Sequence, residues 1–264
     1  MDNRLKLKDK KRIVIKVGTT SLTYPNGRID LKRVSNLAWV LTDLRSGGRE
    51  VMLVSSGAIA VGAERLKLAE RPAEVKGKQA ASAVGQAILM QMYENFFMQY
   101  NQVIAQILLT KDVLEDETRK LNARNTFFTL FEMGVIPVVN ENDTVSVEEL
   151  GFSENDELSA YVACLTDADL LIILSDKDGL YAGGDPDVNP NSVLIDEVSE
   201  INGDIIALAG ETKSKLGTGG MATKLVSAKM AVDNGIDVIM ASNRDPSIIF
   251  KILDGEKHGT LFVS

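Results

Sequence analysis

Short apolar runs alternate with segments of helical periodicity from one end of the chain to the other. The runs at 13–15, 51–54, 170–174 and 238–240 are rich in Val, Ile and Leu, which is typical of strands buried on both faces of a sheet. Between such runs, apolar residues recur every three or four positions, as they do on one face of a helix. Strands that alternate with helices form βαβ units. The sequence therefore predicts an α/β fold with a mainly parallel sheet and helices on both faces.

The same alternation places the main elements along the chain. We predict the elements, in chain order, at about 74–100 (helix), 103–109 (strand), 116–133 (helix), 135–139 (strand), 156–165 (helix) and from the glycine-rich stretch after 217 to about 234 (helix). Residues 1–11 are polar and basic, and we expect them to form a frayed lead-in to the first strand.

The composition limits the partners and the chemistry of the chain. Its 264 residues carry a net charge of −8, which argues against nucleic acid or an anionic membrane as the main partner. No apolar run approaches the roughly 18 residues of a membrane span, so a cytoplasmic location is the default expectation. His258 and Cys164 are the only histidine and cysteine. An internal disulfide is therefore impossible, and no motif supports a Cys/His zinc site or a histidine-dependent nucleophile.

Polar residues follow several of the predicted strands at the point where each strand ends. Lys16 and Gly18 close the first strand, Ser56 follows the second, and Asp143 and Asp176 follow two more. Ligands of open α/β sheets bind beyond the carboxyl ends of the strands, and a lysine beside a glycine suits a phosphate or a carboxylate. For each residue alone a plainer interpretation competes: Lys16 extends to water, and the others end a strand or a turn. Their joint position favours one site at one edge of the sheet.

Two further stretches indicate anion binding or helix capping. Gly217 to Lys224 combines three glycines and two threonines with a lysine, and a helix that starts there would direct backbone N–H groups and Lys224 at an anion. It matches neither the Walker A nor the G-x-G-x-x-G spacing, and a mobile surface loop is the alternative. Asn155 and Asp156 precede a helix, where N-capping competes with a role in the site.

Taken together, these segments resemble the glutamate 5-kinases of the amino acid kinase family. The resemblance covers nearly the whole chain in order and rests on Val-Ile-Lys-Val-Gly-Thr-Thr at 14–20, Val-Ser-Ser-Gly-Ala-Ile-Ala-Val-Gly at 54–62, Leu-Asn-Ala-Arg-Asn-Thr at 121–126, Pro-Val-Val-Asn-Glu-Asn-Asp at 137–143, Asn-Asp-Glu-Leu-Ser-Ala at 155–160, Ser-Asp-Lys-Asp-Gly-Leu-Tyr at 175–181 and Gly-Thr-Gly-Gly-Met-Ala-Thr-Lys at 217–224.

The resemblance implies a three-layer αβα sandwich and ATP-dependent phosphorylation of the γ-carboxylate of L-glutamate, the first step of proline biosynthesis. It implies that Lys16 and Lys224 contact the transferring phosphoryl group and that Asp156 holds both lysines. The residues implied for glutamate are Ser56, Asp143 and Asn155. Those implied for ATP are Lys16, Ser175, Asp176, Thr218, Gly219, Gly220, Met221, Ala222, Thr223 and Lys224. Mg²⁺ is expected with ATP, although its protein ligands cannot be read from the sequence.

The resemblance also implies an organisation and a set of partners. We expect a single kinase domain over 1–264, with a glutamate-binding lobe at about 1–166 and an ATP-binding lobe at about 167–264, and without the C-terminal PUA domain of many bacterial members. A homo-oligomer, feedback inhibition by proline and a functional link to glutamate-5-semialdehyde dehydrogenase (γ-glutamyl phosphate reductase) are further expectations. Acetylglutamate kinase, aspartokinase and a non-catalytic amino-acid sensor of the same fold remain the alternatives.

Overall fold

The computed structural model of the chain describes residues 2–24, 28–146, 152, 155–209 and 220–264. Its strands are Arg12–Val17 (β1), Glu50–Val54 (β2), Ile104–Leu109 (β3), Ile136–Glu141 (β4), Leu170–Ser175 (β5), Tyr181–Ala182 (β6), Val193–Leu194 (β7), Glu197–Val198 (β8), Asp237–Ser242 (β9) and Thr260–Phe262 (β10). Its α-helices are Thr19–Leu22 (α1), Leu31–Ser46 (α2), Ala58–Arg65 (α3), Val75–Phe97 (α4), Lys111–Glu115 (α5), Glu117–Glu132 (α6), Asn155–Leu165 (α7), Gly203–Ala207 (α8), Met221–Asp233 (α9) and Ile248–Leu253 (α10). Two 3-10 helices cover Asn3–Asp9 and Met98–Tyr100.

Eight strands form one central sheet in the order β3-β4-β2-β1-β5-β9-β10-β8. Neighbouring strands run parallel throughout, except that β10 is antiparallel to β9. The strands β6 and β7 form a separate antiparallel pair. The prediction of a mainly parallel sheet is therefore confirmed. In the described residues, no helix combines the length and the apolar character that a membrane span needs.

Helices cover both faces of this sheet, and β1 shows why. Side chains of a strand alternate between the two faces: Ile13 and Ile15 pack into the apolar core under α2, α4 and α10, whereas Val14 belongs to the core under α6, α7 and α9. Helices shield the strands from solvent on both faces, as expected for strands that carry apolar residues on both faces. Lys16 has the same parity as Val14, and its side chain therefore points to the α7 and α9 side.

The backbones of α3 and α4 touch where two glycines meet. A Cβ atom on Gly62 would lie 1.8 Å from the carbonyl oxygen of Ala81, and one on Gly85 would lie 1.8 Å from that of Ala58. Any side chain at either position would force the helices apart, so glycine is required there. This close crossing fixes α4 relative to the segment around Ser56, at the carboxyl end of β2.

The structure corrects the expectation of a frayed lead-in at residues 1–11. Residues 3–9 form a 3-10 helix, in which Arg4 is 1% exposed and Leu7 is fully buried. The Arg4 guanidinium donates hydrogen bonds to the carbonyl oxygens of Asp196 (2.7 Å) and Gly259 (2.8 Å) and pairs with the Asp196 carboxylate at 2.8 Å. The polar sequence of this segment does not indicate that Arg4 is buried, because its partners are carbonyl groups more than 190 residues away in the chain.

Candidate active site

A cleft of about 1320 Å³ opens along the carboxyl ends of the parallel strands. The four residues that follow predicted strands, Lys16, Ser56, Asp143 and Asp176, all line it. They come from four separate segments, and parallel pairing brings their strand ends to the same edge of the sheet. The structure thus brings together residues that are as much as 160 positions apart in the sequence.

Two lysines converge on one buried carboxylate at the centre of the cleft. Lys16 Nζ lies 2.7 Å from Asp156 Oδ1, and Lys224 Nζ lies 3.3 Å from Asp156 Oδ2. The Asp156 side chain is 0% exposed, and the lysine side chains are 8% and 10% exposed. Lys16 therefore does not extend into bulk water, which sets aside the plainer interpretation of this residue. The three side chains together carry two positive charges and one negative charge, an arrangement suited to a further anion.

Opposing effects act on the pKa of Asp156. Burial by itself would raise the pKa, since the charged form loses its hydration. The positive charges of Lys16 and Lys224, and the hydrogen bonds that both donate, outweigh burial and hold the pKa below its usual range. The carboxylate also lies in the first turn of α7, where the helix dipole favours a negative charge. Asp156 is thus ionised at neutral pH and able to hold both ammonium groups.

Three local patterns deliver these side chains. Lys16 lies in β1 and its side chain points to the face of the sheet that α7 and α9 cover. Asp156 lies in the first turn of α7. Lys224 lies in the first turn of α9, and Gly220 precedes this helix in an extended conformation. Because α7 and α9 pack against each other on the same face of the sheet, the two helix starts and the strand end meet. No pair among the three is close in sequence.

Asn155, which directly precedes Asp156 at the start of α7, joins three segments of the cleft. Its amide nitrogen donates to the carbonyl oxygen of Ser55 (2.5 Å), to Ser56 Oγ (2.9 Å) and to Asn140 Oδ1 (2.9 Å). All of these contacts lie outside its own helix, and those of Asp156 do too. Both side chains therefore make contacts across the cleft, which simple N-capping would not need. The amide links the ends of β2 and β4 to the start of α7.

Asp143 is held by α4. Ser82 Oγ donates a hydrogen bond of 2.6 Å to Asp143 Oδ2, and one turn further along the helix Gln86 Oε1 accepts one of 2.8 Å from Asn140 Nδ2. Burial raises the pKa of the Asp143 carboxyl, more than the Ser82 hydrogen bond and the charge of Arg71 lower it. A partly buried carboxylate of this kind gains from a cationic partner.

Ser175 and Asp176 lie at the carboxyl end of β5 and line the cleft. Ser175 Oγ donates to Asp176 Oδ1 at 3.0 Å, and the Asp176 side chain is exposed. Gly220 and Met221 line the cleft as well. Ala222 and Thr223 are not among the lining residues, and Thr223 Oγ1 instead donates to the carbonyl oxygen of Gly220 at 2.8 Å. Thr218 and Gly219 lie outside the described residues.

Sequence reasoning missed Asn140 as a site residue. It is 3% exposed, lines the cleft and contacts Asn155, Gln86 and the backbone N–H of Glu141. The available signal is its position near the carboxyl end of a buried strand, the same feature that points to Asp143. Among the described residues, no group of three or more His, Cys, Asp or Glu side chains is placed to hold a metal ion.

Comparisons with known proteins show which family the sequence resembles. The sequence model of the amino acid kinase family matches residues 11–242. A glutamate 5-kinase of Clostridium perfringens is 52% identical over 99% of this chain and 98% of its own length. One of Enterococcus faecalis is 50% identical over 98% of this chain and 97% of its own length.

Solved structures with low sequence identity share the fold. An isopentenyl phosphate kinase of T. acidophilum superposes with a TM-score of 0.67 at 17% identity, covering 96% of this chain and 100% of its own. A UMP kinase of Bacillus anthracis superposes with a TM-score of 0.66 at 17% identity, covering 96% of each chain. They confirm the αβα sandwich with its mainly parallel sheet. Together with the extended sequence matches, they establish that the chain belongs to the amino acid kinase family, among its glutamate 5-kinases.

Proposed function

We propose that this protein transfers the γ-phosphoryl group of ATP to the γ-carboxylate of L-glutamate. The proposal rests on one observation: the ammonium groups of Lys16 and Lys224 both pair with the Asp156 carboxylate at the centre of one continuous cleft. The relatives named glutamate 5-kinase, which are 50% and 52% identical to this chain, support glutamate as the acceptor. The product, γ-glutamyl 5-phosphate, is the expected first intermediate of proline biosynthesis.

The chemistry needs positioning and charge neutralisation. An oxygen of the ionised γ-carboxylate attacks the γ-phosphorus, the bond from this phosphorus to the β–γ bridging oxygen breaks, and ADP leaves with that electron pair. An ionised carboxylate requires no general base, which suits a site without histidine. Lys16 and Lys224 neutralise charge on the phosphoryl oxygens, and Asp156 keeps the two ammonium groups at fixed positions. Such preorganised charges stabilise a transition state more than a ground state.

The other residues divide between the two substrates. We assign Ser56, Asp143 and Asn155 to glutamate, and Asn140 to the positioning of Asn155 through its 2.9 Å contact. ATP takes the other end, with Ser175, Asp176 and the stretch from 218 to 224. This assignment corresponds to a glutamate lobe at about 1–166 and an ATP lobe at about 167–264.

Mg²⁺ is part of the proposal because kinases generally use ATP as its complex with Mg²⁺. Magnesium sites of this kind use phosphate oxygens and water, with one or two carboxylates at most. The donor groups of the described residues form no dedicated cage, so we assign the ion no protein ligand. When bound, it would neutralise charge on the β- and γ-phosphates.

A cytoplasmic location, a homo-oligomer and transfer of the labile product to glutamate-5-semialdehyde dehydrogenase complete the proposal. The last of these follows from chemistry, since an acyl phosphate hydrolyses unless a following enzyme consumes it. These three points stay predictions.

Acceptor choice tests the proposal directly. With ATP and Mg²⁺, we expect kcat/KM for glutamate to exceed that for N-acetylglutamate by well over tenfold, because the Asp143 carboxylate pairs with a free α-ammonium and not with a bulkier amide. The acyl phosphate is trapped with hydroxylamine, and aspartate serves as a second acceptor. Comparable turnover of N-acetylglutamate or aspartate would contradict the assignment of glutamate as the acceptor. Nucleotide binding without turnover of any acceptor would favour the alternative of a non-catalytic amino-acid sensor.

Proline should act as a competitor at the glutamate end. It carries an α-carboxylate and a charged amine like those of glutamate, so Asp143 and Asn155 would meet the same groups in both molecules. We expect proline to raise the apparent KM for glutamate and to leave the KM for ATP nearly unchanged. Initial rates over a grid of glutamate and proline concentrations measure this. Full activity at saturating proline and subsaturating glutamate would refute the prediction.

A further inference from the structure

One face of α4 runs along the glutamate end of the cleft and presents one polar side chain per turn. Lys78, Ser82 and Gln86 are spaced by four residues and therefore lie on the same face. Ser82 holds Asp143 at 2.6 Å, and Gln86 holds Asn140 at 2.8 Å. Lys78, one turn nearer the start of the helix, lines the cleft. The row places an ammonium group on the same helix face as the contact to Asp143.

Lys78 differs from its neighbour Lys76 in what surrounds it. The Lys76 side chain is 87% exposed and pairs with Glu74 at 3.0 Å, outside the cleft lining. Lys78 is partly buried, and no carboxylate of the described residues forms an ion pair with it. A cation that is partly withdrawn from water and faces a cleft is suited to an anionic ligand group.

The glutamate head group requires such a cation. The γ-carboxylate is assigned to the lysine pair and the α-ammonium to Asp143, which leaves the α-carboxylate without a cationic partner, since Ser56 and Asn155 carry no charge. Two other cations line this end: Arg33 is turned to Asp30 at 3.3 Å, and Arg71 is exposed in the segment before α4. Lys78 is the candidate held on a long helix, one turn from the Ser82 side chain that contacts Asp143.

We propose that Lys78 binds the α-carboxylate of the amino-acid substrate and, with Asp143, forms the receptor for its zwitterionic head group. The proposal rests on the proposed function, since it concerns the same acceptor. It makes Lys78 a specificity-determining residue: it selects acceptors with a carboxylate on the carbon that bears the amine, and it has no part in phosphoryl transfer itself.

The test removes the same interaction from either side. 4-Aminobutanoate is glutamate without its α-carboxylate, and it keeps both the amine and the carboxylate that accepts the phosphoryl group. For Lys78→Met, kcat/KM for glutamate should fall roughly ten- to a hundredfold, mainly through KM. The kcat/KM for 4-aminobutanoate should change by less than about twofold, since that acceptor never made the contact. The preference for glutamate over 4-aminobutanoate should therefore shrink by the same factor.

Matched variants make the result specific. Lys76→Met removes an equal charge two residues away and should leave the preference at its wild-type value. Thermal unfolding of each variant confirms that it is folded, and Lys78→Arg should recover part of the lost preference. The proposal is overturned if Lys78→Met lowers both acceptors equally, or if Arg71→Met reduces the preference while Lys78→Met does not.

The proposed function and this inference fail in different ways. Absence of glutamate turnover by the folded wild-type protein would overturn both. Normal wild-type turnover with an unchanged preference in Lys78→Met would overturn only the role of Lys78.

Discussion

Replacing Lys224 with alanine is expected to lower kcat roughly a hundred- to a thousandfold, with a much smaller change in the KM for glutamate. As the phosphoryl group leaves ATP, negative charge moves toward the bridging oxygen and the β-phosphate. An ammonium group held by Asp156, on a side chain only 10% exposed, gains most from that change and needs no rearrangement to do so. The proposed glutamate contacts are made by other side chains, so the KM for glutamate should change much less.

The measurement is steady-state kinetics on purified variants, with folding checked by circular dichroism. Lys229→Ala is the matched control: this lysine lies in the same helix, but its side chain is 46% exposed and pairs with Asp233 at 3.0 Å, so kcat should be unchanged. Lys16→Ala should behave like Lys224→Ala. The double variant should lose less than the product of the two effects, because both lysines act on one group. Near-normal kcat in folded Lys224→Ala would show that the mechanism is wrong.

Asp156→Asn is expected to destabilise the fold by about 3–5 kcal/mol at neutral pH, the usual result of removing one partner from a buried charge cluster. The amide keeps the shape of the side chain but removes the negative charge that pairs with two ammonium groups, on side chains 8% and 10% exposed. Urea unfolding of the two proteins gives the difference directly. Asp233→Asn removes an exposed carboxylate, 56% exposed and paired with Lys229, and should cost less than about 1 kcal/mol.

The pH dependence of this difference has a definite sign. The folded-state pKa of Asp156 is lowered, so its ionisation stabilises the fold above the unfolded pKa of about 3.9. That stability is lost as the pH falls through the lower, folded-state pKa. The stability gap between wild type and Asp156→Asn should therefore be constant near neutral pH and shrink as the solution becomes strongly acidic. A gap below 1 kcal/mol at pH 7, or one that widens in acid, would contradict the role assigned to the carboxylate.

The strand and helix pattern of this chain is readable from the sequence because its elements are regular. Strands such as Leu170–Ser175 are apolar in every residue but the last, and helices such as Leu31–Ser46 bury apolar residues every three or four positions, so local composition and burial give the same answer. Predicted boundaries failed where polar residues continue an element: β4 extends to Glu141, two residues past the expected end. The short helices α3 and α5 were missed because a few residues carry too little periodicity.

The candidate residues could be named from the sequence, but their geometry could not. Local chemistry singled out Lys16, Asp156 and Lys224 as strand-end and helix-start residues, and their roles stay predictions. Their meeting within 3.3 Å depends on the parity of β1 and on the packing of α7 against α9. These are contacts between segments far apart in the chain, and no local pattern records them.

What the sequence alone determined is therefore the class of fold, the family and the residue types at one edge of the sheet, because these follow from short-range periodicity and motif order. Only the tertiary structure decided that Arg4 is buried against distant carbonyl groups, that Gly62 and Gly85 bring two helices into backbone contact, and that Ser82, one helical turn from Lys78, holds Asp143. Each of these depends on which surfaces pack together. Packing is a property of the whole folded chain, since each contact forms only when both of its distant partners are already held in place.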